Sequence, residues 1–393
     1  MNHNAQDLLK LYRQTLFDNV IPFWERHSID RECGGYFTCL ERDGRVFDTD
    51  KFLWLQARQL WMFSYFYNHI EQKASWLEVA DHGAQFLQQF GRDENEQWYF
   101  SLTREGQPLV QPYSIFSDCF AAMAFSQYAQ ASGSDQARDI ALKTFNHILK
   151  RIDNPKGIYT KTYPGTRPMK ALAIPMILSN LCIEMEGIID PTLQQETIAS
   201  CVEEVINVFL DRDRMLLYEH RAPDGSAVDS FEGRIAIPGH GIEAMWFLME
   251  IAQRQNNRGL IELCVDITLS ILKFGWDSEH GGIFYYLDLD GKPPQQLEWD
   301  QKLWWVHQET LISLLMGYRL TKRNECWEWF KKVHDYSWEH FNDPKYGEWF
   351  GYCNRQGELL LPIKGGKWKG CFHTPRALYR CSSELERLVE DRI

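Results

Sequence analysis

One short pattern recurs six times along the 393-residue chain, and it restricts the fold more than any other feature. Each copy is an aromatic-rich segment that ends in a turn of Gly, Asp or Pro. Alternating bulky residues before such a turn predict a short β-hairpin. The segments are GGYFTCLERDG (34–44), QWYFSLTREG (97–106), GIYTKTYPG (157–165), MLLYEHRAPDG (215–225), GGIFYYLDLDG (281–291) and GEWFGYCNRQG (347–357). Their starts lie roughly sixty residues apart, which indicates a repeat architecture.

Two helices fit between successive hairpins. Apolar residues follow helical spacing over 52–69 and 73–90, and again over 235–255 and 258–274. Six such pairs make twelve helices if an N-terminal helix, 5–27, pairs with a last helix, 374–390. Because paired helices must stack to cover their apolar faces, we predict an all-α fold, an (α/α)6 barrel with the hairpins at one end. An open solenoid is the competing geometry. No linker rich in Pro, Ser or Gly divides the chain, so we expect one domain over 1–393.

Charge and composition exclude several classes of function. Acidic residues outnumber basic ones by 54 to 42, and a net charge of −12 argues against nucleic-acid and anionic-membrane surfaces. The longest apolar runs are too short to span a bilayer, and the N-terminal stretch lacks the apolar core of a signal peptide. The ten cysteines form no CxxC pair, and several lie in apolar helical patterns. We therefore expect reduced thiols and a cytoplasmic protein.

Ionisable and aromatic residues recur where the first helix of each repeat is predicted to begin. They are Arg58, Phe116, Asp118, Arg167, His240, Glu243, His307, Glu309, His373 and Arg376. In a barrel these helices form the inner ring, and their N-termini meet at one end. Any single residue of this kind is more often a cap or a solvated end. Six aligned helix starts instead predict a shared pocket.

The stretch FEGRIAIPGHGIEAMWFLME (231–250) gives the sharpest local signal. A Pro-Gly turn presents His240, and the apolar residues that follow recur at helical spacing. A lone histidine is more often a cap or a satisfied core residue, but one at the mouth of an apolar helix is placed to face a pocket. An unperturbed imidazole has a pKa of about 6.5, so it can donate and accept protons near neutrality.

Five segments together resemble the N-acylglucosamine 2-epimerase family. They are KFLWLQAR (51–58), YPGTRPMK (163–170), GRIAIPGHGIEAMWF (233–247), KLWWVHQET (302–310) and KGGKWKGCFHTPRAL (364–378). The likeness covers essentially the whole chain, and the combined order Arg…PGHxxE…WxxxxE…FHTPR is specific although no single part is. The resemblance implies an (α/α)6 barrel that interconverts N-acetylglucosamine and N-acetylmannosamine. It also implies a homodimer and activation by ATP that is not consumed.

Inverting C2 of a reducing sugar first requires the ring to open. The C2 proton then lies next to an aldehyde, one group can remove it, and another can return a proton to the opposite face. The resemblance assigns these two roles to His240 and His373. Arg58, which lies among apolar residues, is expected to hold the oxyanion at O1. Glu309 is expected to orient or tune one of the histidines.

Other side chains are expected to contact the sugar. They are Glu243, Phe116, Asp118, Trp304, Trp305 and Arg376. Glu243 follows His240 by one helical turn and so is also placed to tune it. Aromatic residues at helical spacing are more often part of a core. His307 precedes Glu309 by two residues and points to a different side of the helix, so we expect it to be structural.

No metal site is predicted. The chain has neither an HExxH motif nor a Cys/His cluster, and acid/base groups with an arginine can perform the chemistry. The Gly-Gly-Lys at 365–367 lacks P-loop spacing. We hypothesise that the basic loop 156–170 holds the ATP effector through Lys161, Arg167 and Lys170. A solvated hairpin accounts for the same residues equally well.

Several rival functions stay open at the level of sequence. Cellobiose 2-epimerases and aldose–ketose (mannose) isomerases are similar in fold and in the paired histidines, although the YPGTRPMK loop favours the acyl-sugar enzymes. An inverting glycosidase would use two carboxylates from Glu243, Glu309 and Asp118, and it would leave the histidines without a role. A non-catalytic binding protein would show no turnover.

Overall fold

Helices form most of the computed structural model, which describes residues 4–163 and 165–390. The segments α1 (Ala5–Gln14) and α2 (Ile21–His27) are joined by a π-helical stretch, Thr15–Val20, into one continuous helix. The other helices are α3 (Leu53–His69), α4 (Ala74–Phe90), α5 (Ile115–Ser132), α6 (Asp135–Arg151), α7 (Ala173–Glu184), α8 (Pro191–Glu204), α9 (Pro238–Arg254), α10 (Arg258–Gly275), α11 (Trp304–Thr321), α12 (Asn324–His340) and α13 (His373–Glu390). None of these described helices has both the length and the apolar character needed to cross a bilayer.

The helices form two concentric rings. The odd-numbered helices from α3 to α13 form the inner ring, and each contacts the next one in the chain. They are buried nearly all round; in α3, for example, every residue over 53–66 except Trp54 is buried. The outer helices bury one face only. In α6 that face is formed by Ala137, Ile140, Ala141, Thr144, Phe145 and Ile148, which follow the spacing of an amphipathic helix.

The ring closes between the last inner helix, α13, and the first, α3. The rings of Tyr65 and Tyr379 lie 5.6 Å apart, and those of Trp61 and Phe372 lie 5.3 Å apart. The N-terminal helix packs against α13, as the sequence predicted. Closure excludes the open solenoid, and the predicted (α/α)6 barrel is confirmed.

Short antiparallel strands lie at the end of the barrel where the inner helices begin. The strands are β1 (Cys39–Leu40), β2 (Val46–Asp48), β3 (Lys51–Phe52), β4 (Ser101–Leu102), β5 (Pro108–Val110), β6 (Lys170–Ala171), β7 (Leu210–Asp211), β8 (Leu216–Leu217), β9 (His220–Arg221), β10 (Ile235–Ala236), β11 (Leu287–Asp288), β12 (Lys302–Leu303) and β13 (Tyr352–Cys353). Before α3, α7, α9 and α11 a strand pairs with a strand of the next repeat; in β12 and β13, for example, Lys302 lies opposite Cys353. A bridge between Glu41 and Ile363 joins the last repeat to the first. The pairing therefore runs around the mouth and holds the helix N-termini in place.

An ionic triad recurs at several of these junctions. In each triad an aspartate that follows an outer helix accepts from a lysine of its own repeat and from an arginine of the next. The triads are Asp30–Lys51–Arg104, Asp277–Lys302–Arg355 and Asp343–Lys364–Arg42. The aspartate and lysine side chains are buried, with exposed fractions of 0–2%. Since Arg42 belongs to the first repeat and Asp343 to the last, the third triad also closes the ring.

The third predicted hairpin is wrong. Gly157–Tyr159 form a 3-10 turn, and within 157–163 and Gly165 the structure has no strand; Pro164 lies outside the described residues. Ile158 and Tyr163 are 89% and 79% exposed, so the alternating pattern covers no core. The strand of the next repeat, β9, pairs with β6 and not with this loop. Alternation alone does not form a strand when no partner strand is available.

Candidate active site

Four inner helices bring charged side chains together at the mouth of the barrel. The second turns of α3, α9 and α11 contribute Arg58, Glu243 and Glu309, which have exposed fractions of 8%, 7% and 0%. The first turns of α9 and α13 contribute His240 and His373. Because each inner helix is buried nearly all round, these side chains lie in a low-dielectric interior where their charges interact strongly.

One buried ion-pair network, named here the His373 cluster, consists of Glu243, Glu309, His373 and Arg376. Glu309 Oε1 accepts hydrogen bonds from His373 Nδ1 and from Arg376 Nη2, both at 2.7 Å. The same arginine nitrogen donates to Glu243 Oε1 at 2.6 Å. Trp246 Nε1 donates to the other oxygen of Glu309 at 2.9 Å. Since a carboxylate holds its Nδ1, His373 keeps Nε2 for proton transfer.

The charges around His373 favour its neutral form. Burial, together with the positive charges of Arg58 and Arg376, lowers the pKa of His373 well below its usual value. Glu243 opposes this shift but does not reverse it. At neutral pH His373 is therefore an uncharged imidazole whose Nε2 can accept a proton, as a general base must.

The His373 cluster also has the spacing of a metal site. Donor atoms of Glu243, Glu309 and His373 lie within 4.8 Å of one another. Arg376, however, donates to both carboxylates from the space between them. A guanidinium thus supplies the positive charge that a metal would supply there, and the cluster is balanced by the protein's own side chains.

His240 forms a second histidine–carboxylate pair with Glu219. Its Nδ1 lies 3.1 Å from each oxygen of the Glu219 carboxylate. Burial by itself lowers the pKa of His240, but the charge and hydrogen bond of Glu219, together with Glu243, more than reverse this effect, and the net shift is upward. Glu219 was absent from the sequence-based prediction. It lies 21 residues from its partner on a different element, and no spacing rule links the two.

Trp305 contacts both histidines. The centre of its ring lies 5.4 Å from that of His240 and 5.8 Å from that of His373. The indole therefore forms a wall shared by both imidazoles. Trp304, the preceding residue, packs edge-on against His373 with ring centres 6.1 Å apart.

Arg58 lies in an aromatic cage beside the His373 cluster. Its guanidinium carbon is 4.0 Å from the ring centre of Phe120 and 4.5 Å from those of Trp54 and Phe372. Within the described residues its Nε has no hydrogen-bond partner. Burial lowers the pKa of Arg58 to about 9, while Glu243 and Glu309 oppose the shift, so the group stays cationic at neutral pH. The side chain is thus a buried, positively charged donor whose Nε–H is available for a further hydrogen bond.

Two of the predicted sugar-binding residues on α5 have other surroundings. Asp118 is buried and accepts from Arg151 on the outer helix α6 at 3.1 Å, and not from the cluster. Burial raises the pKa of Asp118 to about 7, although Arg151 opposes this. Phe116 is half-buried and packs against the core. Both residues were predicted to face the pocket because they lie at a helix start. The sequence pattern locates that start but not the direction in which each side chain points.

His307 is not part of the His373 cluster. Its Nδ1 donates to the Leu303 carbonyl at 2.7 Å, and its Nε2 accepts from the Ile283 amide at 3.0 Å. Burial lowers the pKa of His307 to about 3, so the ring is neutral. With both nitrogens bonded to backbone, it ties the start of α11 to the 281–286 segment, in keeping with the structural role expected for it.

The basic loop lies outside the cluster. Lys161 and Arg167 are exposed, and Arg167 precedes α7 by several residues instead of opening it. Lys170 forms an ion pair with Glu204 at 2.6 Å. The prediction that Arg167 shares a pocket with the other helix starts is therefore wrong, because the strand β6 lies between it and its helix.

Comparison with known protein families shows the family to which the chain belongs. The profile described as "N-acylglucosamine 2-epimerase (GlcNAc 2-epimerase)" matches residues 35–377. The chain belongs to this family. It is 39% identical over 383 residues to the N-acylglucosamine 2-epimerase of Mus musculus, with 95% of this chain and 91% of the mouse protein aligned. The family predicted from the five sequence segments is confirmed, and the chain is a carbohydrate epimerase.

More distant relatives carry a different name. The cellobiose 2-epimerase of Dictyoglomus turgidum is 24% identical, with 97% of this chain and 100% of that protein aligned. Among solved structures, the cellobiose 2-epimerase of Spirochaeta thermophila superposes with a TM-score of 0.82 at 21% identity, and the alignment covers 98% of each chain. At this identity the structural likeness establishes the fold alone.

Proposed function

We propose that this epimerase inverts C2 of N-acetylglucosamine to give N-acetylmannosamine, and the reverse. The observation that supports it best is a pair of histidines, His373 buried and His240 half-buried, that both contact Trp305 and each have Nδ1 on a carboxylate. Two proton-transfer groups at one site suit a reaction that removes a proton from one face of a carbon and returns it to the other. The identity to mammalian N-acylglucosamine 2-epimerases supports the substrate.

In the proposed mechanism the sugar ring opens first, by acid/base transfer between the C1 hydroxyl and the ring oxygen. One histidine then takes the C2 proton on Nε2, and the C2–H electron pair moves into a C1–C2 enolate. The other histidine donates its Nε2 proton to the opposite face of C2, and the C1 carbonyl reforms. The proton count balances, since one histidine gains a proton as the other loses one. Either of His240 and His373 can act first, depending on the epimer bound.

Arg58 is the proposed stabiliser of the enolate oxygen. It is cationic and buried, and its Nε lacks a partner within the described residues. A positive donor in a low-dielectric site stabilises developing negative charge far more than it would in water. Glu309 then orients His373, while Arg376 and Glu243 hold Glu309 in position.

The remaining sugar contacts belong to the same proposal. Trp305 and Trp304, which pack against the histidines, are placed to contact the face of the sugar. For Phe116 and Asp118 the proposal has less support, since neither contacts the cluster. A Phe116→Ala variant with unchanged KM would remove that residue from the site.

An inverting glycosidase is the rival that the geometry disfavours. Inverting carboxylates stand about 6.5–9.5 Å apart with a water between them. Glu243 and Glu309 offer oxygens within 4.8 Å, and Arg376 neutralises both. Neither is therefore available as a free acid or base.

Proton NMR in heavy water tests the substrate and the chemistry together. The protein is incubated with N-acetylglucosamine, with and without ATP. We expect N-acetylmannosamine that carries deuterium at C2. Turnover of cellobiose or mannose instead would contradict the substrate while leaving the histidine chemistry in place, and no turnover of any of the three sugars would favour a non-catalytic binding protein.

The two-histidine assignment is tested by His240→Ala and His373→Ala. Each variant should lose epimerisation by more than about 100-fold, the lower end of what general acid–base groups contribute. Circular dichroism should show an unchanged helical content. The matched control is His307→Asn at the structural histidine, whose loss should reduce the Tm more than it reduces kcat. Near-normal turnover in either alanine variant would refute the assignment.

ATP activation, a homodimer and a cytoplasmic location complete the proposal. Exposed Lys161 and Arg167 are free to meet phosphates, while Lys170 is shared with Glu204. Lys161→Ala and Arg167→Ala should therefore reduce activation by ATP, and unaltered activation would contradict this site. The ten cysteines are free thiols, nine of them buried, which suits a reducing compartment. Sedimentation equilibrium would measure the oligomeric state.

A further inference from the structure

Glu219, whose carboxylate contacts His240, is buried and is fixed by two backbone hydrogen bonds. Glu219 is 5% exposed. Its backbone amide donates to the Ile235 carbonyl at 3.0 Å, and its own carbonyl accepts from the Leu172 amide at 2.9 Å. Ile235 leads into α9 and Leu172 into α7, so Glu219 is clamped between the starts of two inner helices. Its position relative to His240 is therefore set by the barrel.

We propose that Glu219 is a positioning residue for the epimerase reaction, which holds Nδ1–H of His240 so that Nε2 exchanges the proton, and whose negative charge stabilises the protonated imidazole. The proposal rests on the function proposed above. The two histidines then carry matched carboxylates, Glu219 for His240 and Glu309 for His373. Each carboxylate determines which ring nitrogen works.

The two pairs differ in the charges around them. Glu309 shares its charge with Arg376 and Trp246 as well as with His373. The Glu219 carboxylate accepts from no side chain but His240 within 4–163 and 165–390. An undivided negative charge stabilises an imidazolium more than a shared one does.

The remaining groups that face His240 do not change this conclusion. On its own helix, Glu243 adds a second negative charge. On the 281–286 segment, burial raises the pKa of Tyr285 and of Tyr286, so both hydroxyls stay neutral. On α11, the ring of Trp305 packs against His240.

The two imidazoles therefore have pKa shifts of opposite sign: that of His240 is raised and that of His373 is lowered. In the proposal these shifts suit His240 to the role of acid and His373 to the role of base for the epimer whose C2 proton faces His373. The other epimer requires the two roles to be exchanged. For kcat/KM, the loss of the His373 base forms the low-pH limb, and the loss of the His240 proton forms the high-pH limb.

The test compares Glu219→Gln with Glu219→Asp in the full-length protein. Gln keeps the size and an accepting oxygen but removes the charge, so that only Glu243 then opposes the effect of burial on the pKa of His240. The high-pH limb of kcat/KM should move down by roughly 1–3 units, the usual effect of one neighbouring charge, while the low-pH limb stays in place. Asp restores the charge and should return the high-pH limb most of the way to its wild-type pH. The matched control is Glu298→Gln, a half-buried carboxylate of the same mouth near Tyr286, which should leave both limbs unchanged.

A second readout needs no substrate. Nitrogen-15 NMR of histidine-labelled free enzyme reports the tautomer and titration of each ring. Wild-type His240 should titrate as a ring protonated on Nδ1, and Glu219→Gln should lower its midpoint without moving that of His373. An unmoved His240 midpoint, or equal movement of both limbs, would overturn the proposal. Because this titration is independent of the sugar, a wild-type enzyme that fails to epimerise N-acetylglucosamine would refute the proposed function and not the role of Glu219.

Discussion

Replacing Glu309 with glutamine removes one charge from the centre of the His373 cluster and changes its shape very little. Glu309 accepts from three donors: His373, Arg376 and Trp246. An amide has one accepting oxygen and one donating nitrogen, so in either orientation of the new side chain a donor meets a donor. Arg376 keeps Glu243 as a partner, and we therefore expect the barrel to fold.

The structure sets the size of the effect on turnover. In the proposed mechanism the lost charge acts on the protonated form of His373, which forms when the imidazole takes the proton from C2. A hydrogen bond to a charged group contributes about 1.5–3 kcal/mol, and each 1.36 kcal/mol of barrier is a factor of about ten. The kcat of Glu309→Gln should therefore fall roughly 10- to 150-fold.

The assay is the initial rate of epimerisation at saturating substrate, with Tm measured in parallel. Glu384→Gln is the matched control, because Glu384 is also buried and accepts from Arg319 and Arg387. It lies on α13 with His373 but roughly 16 Å further along the helix axis. We expect both variants to lose thermal stability and only Glu309→Gln to lose kcat. A Glu309→Gln enzyme within about twofold of wild type, or an equal loss in the control, would refute the reasoning.

Three further predictions concern Arg58, Trp305 and the Asp277 ion-pair triad. Arg58→Lys keeps a charge but loses the planar fork, and kcat should fall about 100-fold, as for one lost oxyanion donor; an unchanged kcat would contradict the role. Trp305→Ala removes two aromatic contacts of about 0.5–1.5 kcal/mol each, so kcat/KM should fall roughly 5- to 150-fold, whereas Trp305→Phe should recover most of it. Asp277→Asn leaves Lys302 buried without its carboxylate, at a cost of about 3–5 kcal/mol in urea unfolding, while exposed Asp290→Asn should cost under about 1 kcal/mol.

The same junctions predict how stability responds to acid. Burial raises the pKa of Asp277, but hydrogen bonds from Arg355 and backbone amides and the charge of Lys302 hold it well below its usual range. Asp30 and Asp343 are held low in the same way. A carboxyl with a depressed pKa stabilises the fold above its unfolded value of about 3.9, and this contribution is lost as the pH falls below that value. Urea midpoints should therefore drop below about pH 4, and less so in Asp277→Asn.

The repeat architecture could be predicted because its cause is local. The 3.6-residue period of α3 or α9 and the glycine turns are determined by residues that are close together in the sequence. The six-fold recurrence then leaves few ways to cover twelve apolar faces. Where the local rule failed, at 157–165, strand formation depended on a partner strand that neighbouring residues do not specify.

The proposed catalytic residues were predictable in part. His240, His373, Glu309 and Arg58 stand in motifs that a resemblance can carry over, and Glu309 was expected to orient a histidine without showing which one. The Asp–Lys–Arg triads went unrecognised because each joins three segments of chain, as in Asp30 with Lys51 and Arg104. Asp118 occupied the right repeat position but faces Arg151.

Sequence alone thus determined the barrel, the family and the paired histidines, since helical period and motif order are properties of the chain itself. Only the tertiary structure decided that Glu219 supports His240 and that Arg376 bridges two carboxylates. It also decided that the pKa of His240 is shifted upward and that of His373 downward. The reason is that protonation depends on burial and on charges brought close by folding, and these are not encoded in the spacing of any single segment.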